Sequence, residues 1–255
     1  MGLALDSFED IFSFLKKYPK VILFAFTLSI FSTLFSSMLA SSVRTLIISI
    51  DLILISTLVA LGIILFFVSL IVSGVYQITV YQGVKKGKVE IVKAIQKSLK
   101  LFPKIFLTSL LTFLILGVPI SLALISALML SEISPILFIV FIVIILCIIV
   151  YLSLRLFLTF PILVIENKSP LESIKSSWKM TKDNSVSVLA LLLLLSLIIG
   201  VISFPLNILK AVFEILDIDQ ISLIFGILAS TINGALLGPA AAIYYFNLKK
   251  SKTEI

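Results

Sequence analysis

Six stretches of this chain are almost wholly apolar, at 21–40, 52–76, 105–130, 135–160, 185–211 and 221–246. Each approaches or exceeds the ~20 helical residues that cross a hydrocarbon core of roughly 30 Å. Backbone in lipid must satisfy its own hydrogen bonds, so runs of this length predict helices rather than strands. The polar positions between them are distributed unevenly. Seventeen of the eighteen lysines fall at 16–20, 85–104, 168–182 and 249–252, so lysine-rich and lysine-poor connections alternate. The lysine-poor connections hold only Arg44 and Lys210, against Asp51, Glu132, Glu214, Asp217 and Asp219. Positive residues mark the cytoplasmic side. Both termini are therefore expected in the cytoplasm of a multi-pass cell-membrane protein, with three short loops outside.

The lysine clusters also carry a pattern of their own. Each of the first three opens with a small residue followed three positions later by an acid: Ser7 with Asp10, Gly87 with Glu90, Ser169 with Glu172. The third is the most complete helix start, with Pro170 at the first helical position. Helical spacing then places Ile91, Ile95, Leu99 and Phe102 on one face and Lys93, Lys97, Lys100 and Lys104 on another. In the third copy Leu171, Ile174, Trp178 and Thr181 oppose Lys168, Lys175, Lys179 and Lys182. In the first, Phe8, Ile11, Leu15 and Tyr18 form the apolar side. An apolar stripe beside a lysine-rich face predicts an interfacial amphipathic helix.

Ile11, Leu15, Lys16, Pro19 and Lys20 recur as Ile95, Leu99, Lys100, Pro103 and Lys104, and Gly117-Val118 recurs as Gly200-Val201. The unit is an amphipathic helix followed by two spans. Two spans per copy keep the orientation, so the fold class expected is an all-α integral membrane protein with six transmembrane helices and three cytoplasmic-face amphipathic helices in three parallel repeats. Residues 1–255 are read as a single polytopic membrane domain, with repeat units about 7–76, 87–160 and 169–246 and a cytoplasmic tail at 247–255.

Composition agrees with this picture and removes several classes of function. The chain is 60% hydrophobic and 13% charged, where soluble domains are about 45–50% apolar and about 25% charged. The net charge of +7 comes from lysines next to spans, which points to anionic headgroups on the cytoplasmic side and not to nucleic acid. Asp6, Glu9 and Asp10 stand where a cleavable signal would be basic, so an uncleaved first helix is expected. With no histidine and a single Cys147, a zinc site and a histidine-dependent triad are excluded, and no metal or cofactor is expected.

The segment 155–180, RLFLTFPILVIENKSPLESIKSSWKM, places an arginine late in a span, then a polar turn, then a capped amphipathic helix with a small-residue face. It resembles the polytopic membrane domain of glycerophosphoryl diester phosphodiesterases and of related stand-alone bacterial and archaeal membrane proteins. In that family the phosphodiesterase chemistry belongs to a separate soluble domain, to which nothing here corresponds. The resemblance implies a membrane module without an activity of its own.

Few residues invite a chemical role. Arg155 is an ionisable residue well inside an apolar run, and three readings stay open: a snorkelling or carbonyl-held structural arginine, an anionic-lipid contact, and part of a transport path. Lys93, Lys97, Lys100, Lys175, Lys179 and Lys182 join it as candidate lipid contacts. Gly226, Ser230, Gly234 and Gly238 repeat every four residues in the last span, as Ser29, Thr33, Ser37 and Ser41 do in the first. Small residues at that spacing predict close helix packing. Asn207 and Asn233 sit beside Pro205, Gly234 and Gly238-Pro239, an arrangement open to a packing kink or to a transporter site. The acidic loop 214–220 reads as solvated. The functional expectation is a non-enzymatic module that organises membrane lipid or docks a protein partner. The alternative is a small-solute or lipid transporter with a cavity between repeats.

Overall fold

The computed structural model describes residues 2–48 and 52–253, and the described chain is helical with no strand. The side chains of Ser37, Ser41, Arg44 and Glu132, and Asp51 as a whole, lie outside the described residues. The elements are α1 (Gly2–Lys17), a short 3-10 turn (Pro19–Val21), α2 (Ile22–Ile48), α3 (Leu52–Lys86), α4 (Ile91–Ile133), α5 (Pro135–Leu156), α6 (Thr159–Glu166), α7 (Pro170–Lys182), α8 (Ser185–Ile215) and α9 (Asp219–Thr253). Among the described residues five stretches are long and apolar enough to cross a membrane: Ala60–Lys86, Ile91–Ala123, Ile136–Glu166, Ser185–Ile215 and Asp219–Ser251. A further apolar stretch, Pro19–Leu34, is shorter.

The helices differ from the sequence expectation at their ends. α3 continues beyond 76 to Lys86, and α9 carries the expected tail as helix to Thr253. Pro103 does not separate the second amphipathic segment from its span, because α4 runs unbroken from Ile91 to Ile133. A proline inside a membrane helix is tolerated when its surroundings satisfy the backbone group it frees. Ser7 does not start a helix either. It lies inside α1, buried.

Contacts divide the chain into two compact units, residues 1–102 with 191–255, and residues 103–190. Their boundaries fall within the expected repeats rather than between them.

In the first unit α9 packs against α1, α2 and α3. α1 buries Ala4, Ser7, Ile11 and Phe14. Asn247 ties it to α9, its Nδ2 donating to Ser7 Oγ at 3.2 Å and Asp10 Oδ2 at 2.8 Å. The α3–α4 connection turns at Gly87, whose φ of +64° is the left-handed geometry that ends helices and suits glycine. There Gln82 Oε1 accepts the Glu90 N–H at 2.9 Å, and Ser98 Oγ donates to the Ile71 carbonyl at 2.9 Å. At the α8–α9 turn Phe213 stacks on Phe225, and Glu214 takes Lys210 at 3.4 Å and the Ser222 hydroxyl at 3.4 Å. The acidic loop is thus partly engaged rather than simply solvated.

In the second unit α7 packs against α5 and α6. The part of α4 within it meets α5 around a wholly apolar crevice of about 50 Å³ lined by Leu116, Pro119, Ile145 and Leu152.

Candidate functional site

A helix break organises the second unit. Pro161 has no N–H to give, and its ring clashes with the carbonyl four residues back, at Phe157. α5 accordingly stops at Leu156 and α6 starts at Thr159. Ser177 of α7 fits into the break. Its buried hydroxyl donates to the Arg155 carbonyl at 2.7 Å and accepts the Leu158 N–H at 3.2 Å. Thr181, one turn on, donates to the Ser177 carbonyl at 2.8 Å and approaches that of Arg155 at 3.5 Å.

Local sequence holds α7 in place for this. Ser169 Oγ accepts the Glu172 N–H at 3.4 Å, and Glu172 accepts the Ser169 N–H at 3.1 Å, a complete capping box. The Ser169 N–H, then its hydroxyl, hold the Glu172 carboxyl below its ordinary value of 4.5. A lowered carboxylate stabilises the folded state above that ordinary value, and the contribution is lost as pH falls through the lowered one. Before the cap, Asn167 takes a left-handed φ of 54° and accepts Lys104 Nζ at its carbonyl (3.1 Å) and at Oδ1 (2.9 Å).

Arg155 sits on this frame, only 9% exposed. Its guanidinium carbon is 4.9 Å from the Tyr151 ring centroid and 5.9 Å from that of Trp178, and the two rings meet edge to face at 6.0 Å. Nη1 is buried without a hydrogen-bond partner, and no carboxylate among the described residues pairs with the guanidinium. Cation–π contacts of this kind supply about 0.5–2 kcal/mol. No carbonyl holds Nη1, and the charge is left short of a counter-ion.

The lysines divide by unit. Lys175, Lys179 and Lys182 are exposed on α7. Lys93 is exposed but already pairs with Glu90 at 2.5 Å, and Lys97 stands over the Tyr81 ring at 5.3 Å. Lys100 is exposed. In the first unit a half-open cleft of about 390 Å³ is lined by Lys17, Tyr18, Lys20, Val21, Ile91 and Val92.

The buried faces of the lysine-bearing segments differ from the expected apolar stripes. Ala94, Ser98 and Leu101 are buried, while Ile95 and Leu99 are 41% and 52% exposed. On α7 Ser173, Ile174, Ser177 and Thr181 are buried, and Leu171 is 59% exposed. Ile11 is buried although its counterpart Ile95 is not. Small residues pack inward, and several bulky apolar ones face out beside the lysines.

In the first unit the described part of the α2 ridge lies against α9. A Cβ on Gly226 would sit 3.5 Å from Thr33, one on Gly234 would sit 3.3 Å from Ala25, and Thr33 and Ser230 hydroxyls are 3.5 Å apart. Ser29 is buried and bonds its own helix at the Ala25 carbonyl. Gly238 faces α3 instead, where a Cβ would fall 2.5 Å from Tyr76 Cζ. Asn207 and Asn233 are exposed.

Tyr76 and Gln77 are absent from the sequence expectation. The Tyr76 hydroxyl lies 3.1 Å from the Gly234 carbonyl and 3.2 Å from that of Ala235, and Gln77 Nε2 donates to Gly238 at 2.9 Å. Ala235 is the residue whose carbonyl Pro239, four places on, leaves without its helical N–H. That orphan was readable from the sequence; its donor, 159 residues away, was not.

Long apolar helices, small-residue ridges and prolines compensated by neighbouring side chains define a polytopic α-helical membrane domain. The chain belongs to the family described as the membrane domain of glycerophosphoryl diester phosphodiesterase, whose family model matches residues 7–249. No curated protein matches it.

Proposed function

We propose that the chain is a non-enzymatic membrane module that organises lipid, or docks a partner, through a basic cytoplasmic face. In this reading six spans cross the bilayer with both termini inside, and residues 2–17, 91–102 and 170–182 lie at the interface as parallel copies of one device. The observation that carries it is the division of α7: Ser173, Ser177 and Thr181 are buried, while Leu171, Lys175, Lys179 and Lys182 are exposed. Small residues seat the helix on its neighbours, leaving a bulky apolar edge for acyl chains and ammonium groups for headgroups. Each exposed lysine contributes on the order of 1 kcal/mol near an anionic surface.

The test is lipid selectivity of the whole protein in nanodiscs of mixed phosphatidylglycerol and phosphatidylcholine. Phosphatidylglycerol should be enriched around the protein at low salt and much less so at high salt. Changing Lys175, Lys179 and Lys182 together to Gln should cut the enrichment by about fivefold or more. Enrichment indifferent to salt and to these substitutions would sink the reading.

Sidedness has its own test. In a Cys147→Ser background, Ser42→Cys and Asp217→Cys should both react with an impermeant maleimide added outside intact cells. Protection of both positions would reverse the topology.

A further inference from the structure

Trp178 is the chain's single tryptophan, and it stands over a buried guanidinium whose Nη1 has no partner. We propose that Arg155, Tyr151 and Trp178 form a binding site for the phosphate of one phospholipid. The inference rests on the lipid-organising reading and goes further, assigning one lipid to a fixed place rather than a diffuse surface.

A guanidinium without a counter-ion calls for an anion, and its planar fork fits phosphate oxygens in a bidentate way. Thr159, four positions beyond Arg155 at the start of α6, has a second buried oxygen, Oγ1, without a partner. Two unpartnered polar groups beside one helix break are what a seated ligand would satisfy. Tyr and Trp suit the headgroup level of a bilayer.

The anion is a lipid's because the site continues into an apolar strip. Ile144, Ile148 and Tyr151 follow one face of α5 at helical spacing, each about half exposed, toward the interior of the span. An acyl chain lies along that strip when its phosphate is at Arg155. Nη1 is enclosed, so an arriving phosphate engages it as the neighbouring ring shifts, and Trp178 emission reports the event.

Delipidated full-length protein in detergent would be titrated with dihexanoyl phosphatidylglycerol, dihexanoyl phosphatidylcholine and inorganic phosphate, following Trp178 fluorescence. Both lipids should shift the emission saturably, at low and high salt alike, because both carry the phosphodiester. Inorganic phosphate at the same concentrations should not. Arg155→Gln should weaken lipid binding about tenfold or more, and Arg155→Lys, which keeps the charge but not the fork, should fall between.

A wild-type protein whose emission ignores both lipids overturns the site whether or not the variants fold. Inorganic phosphate acting as well as the lipids overturns the lipid assignment. Unchanged binding by a folded Arg155→Gln protein overturns the role of the guanidinium. The Lys175, Lys179 and Lys182 triple variant separates the two readings. A persistent Trp178 response with no salt-dependent enrichment, even in the wild type, sinks the basic face alone.

Discussion

Gly238→Ala is expected to lower stability by about 2–4 kcal/mol, as a drop in the thermal midpoint of the detergent-solubilised protein. The added Cβ would fall 2.5 Å from Tyr76 Cζ and 2.8 Å from its hydroxyl. Overpacking of this kind costs about 1–3 kcal/mol. Displacing the ring also removes the hydroxyl from the Gly234 and Ala235 carbonyls, and a polar contact between membrane helices contributes about 0.6–1.7 kcal/mol. The second carbonyl has lost its helical donor to Pro239, which makes the phenol hard to replace. Tyr76→Phe, which keeps the ring, should cost about 1 kcal/mol. In a Tyr76→Ala background the glycine substitution should lose most of its effect, because residues in contact do not contribute additively. Equal effects in both backgrounds would mean that the ring is not what Gly238 accommodates.

Ser177→Ala is the second large effect, at about 2–4 kcal/mol. The substitution removes the hydroxyl that joins the Arg155 carbonyl to the Leu158 N–H, and each buried group left unsatisfied costs about 1–3 kcal/mol. Ser176→Ala, one residue away, removes only the partly buried contact with Lys168. It should change stability by about 0.5 kcal/mol or less. Matching thermal midpoints for the two variants would show that Ser177 does not bridge the helix break.

What the sequence disclosed depended on how local each feature is. The Ser169–Glu172 capping box spans four residues and was legible as a motif. The Ser7–Asp10 pair has the same form but lies within α1, its partner being Asn247 at the other end of the chain. Arg155 was conspicuous as a charge in an apolar run, yet its position beside Trp178 depends on α7 folding back onto α5.

The faces that pack against protein were not legible in the sequence, for a physical reason. In water apolarity sorts inside from outside, but lipid is as apolar as leucine, so close approach selects small residues instead. Ala94 and Ser98 are therefore buried while Ile95 and Leu99 are exposed. For the same reason the small residues Gly226 and Ser230 of α9 meet Thr33 of α2. Gly238 looked like one more member of its ridge, although it accommodates an aromatic ring from α3.

The contact between α1 and α9 bears on how the protein is made. The second unit is one continuous stretch, 103–190, so all of its residues can meet before the remainder of the chain is synthesised. The first unit joins residues 1–102 to residues 191–255. The faces of α1 and α2 that α9 covers stay open until α9 leaves the ribosome. Premature termination anywhere before α9 would leave those faces open to other membrane helices, so α9 controls when α1 and α2 stop being available to strangers.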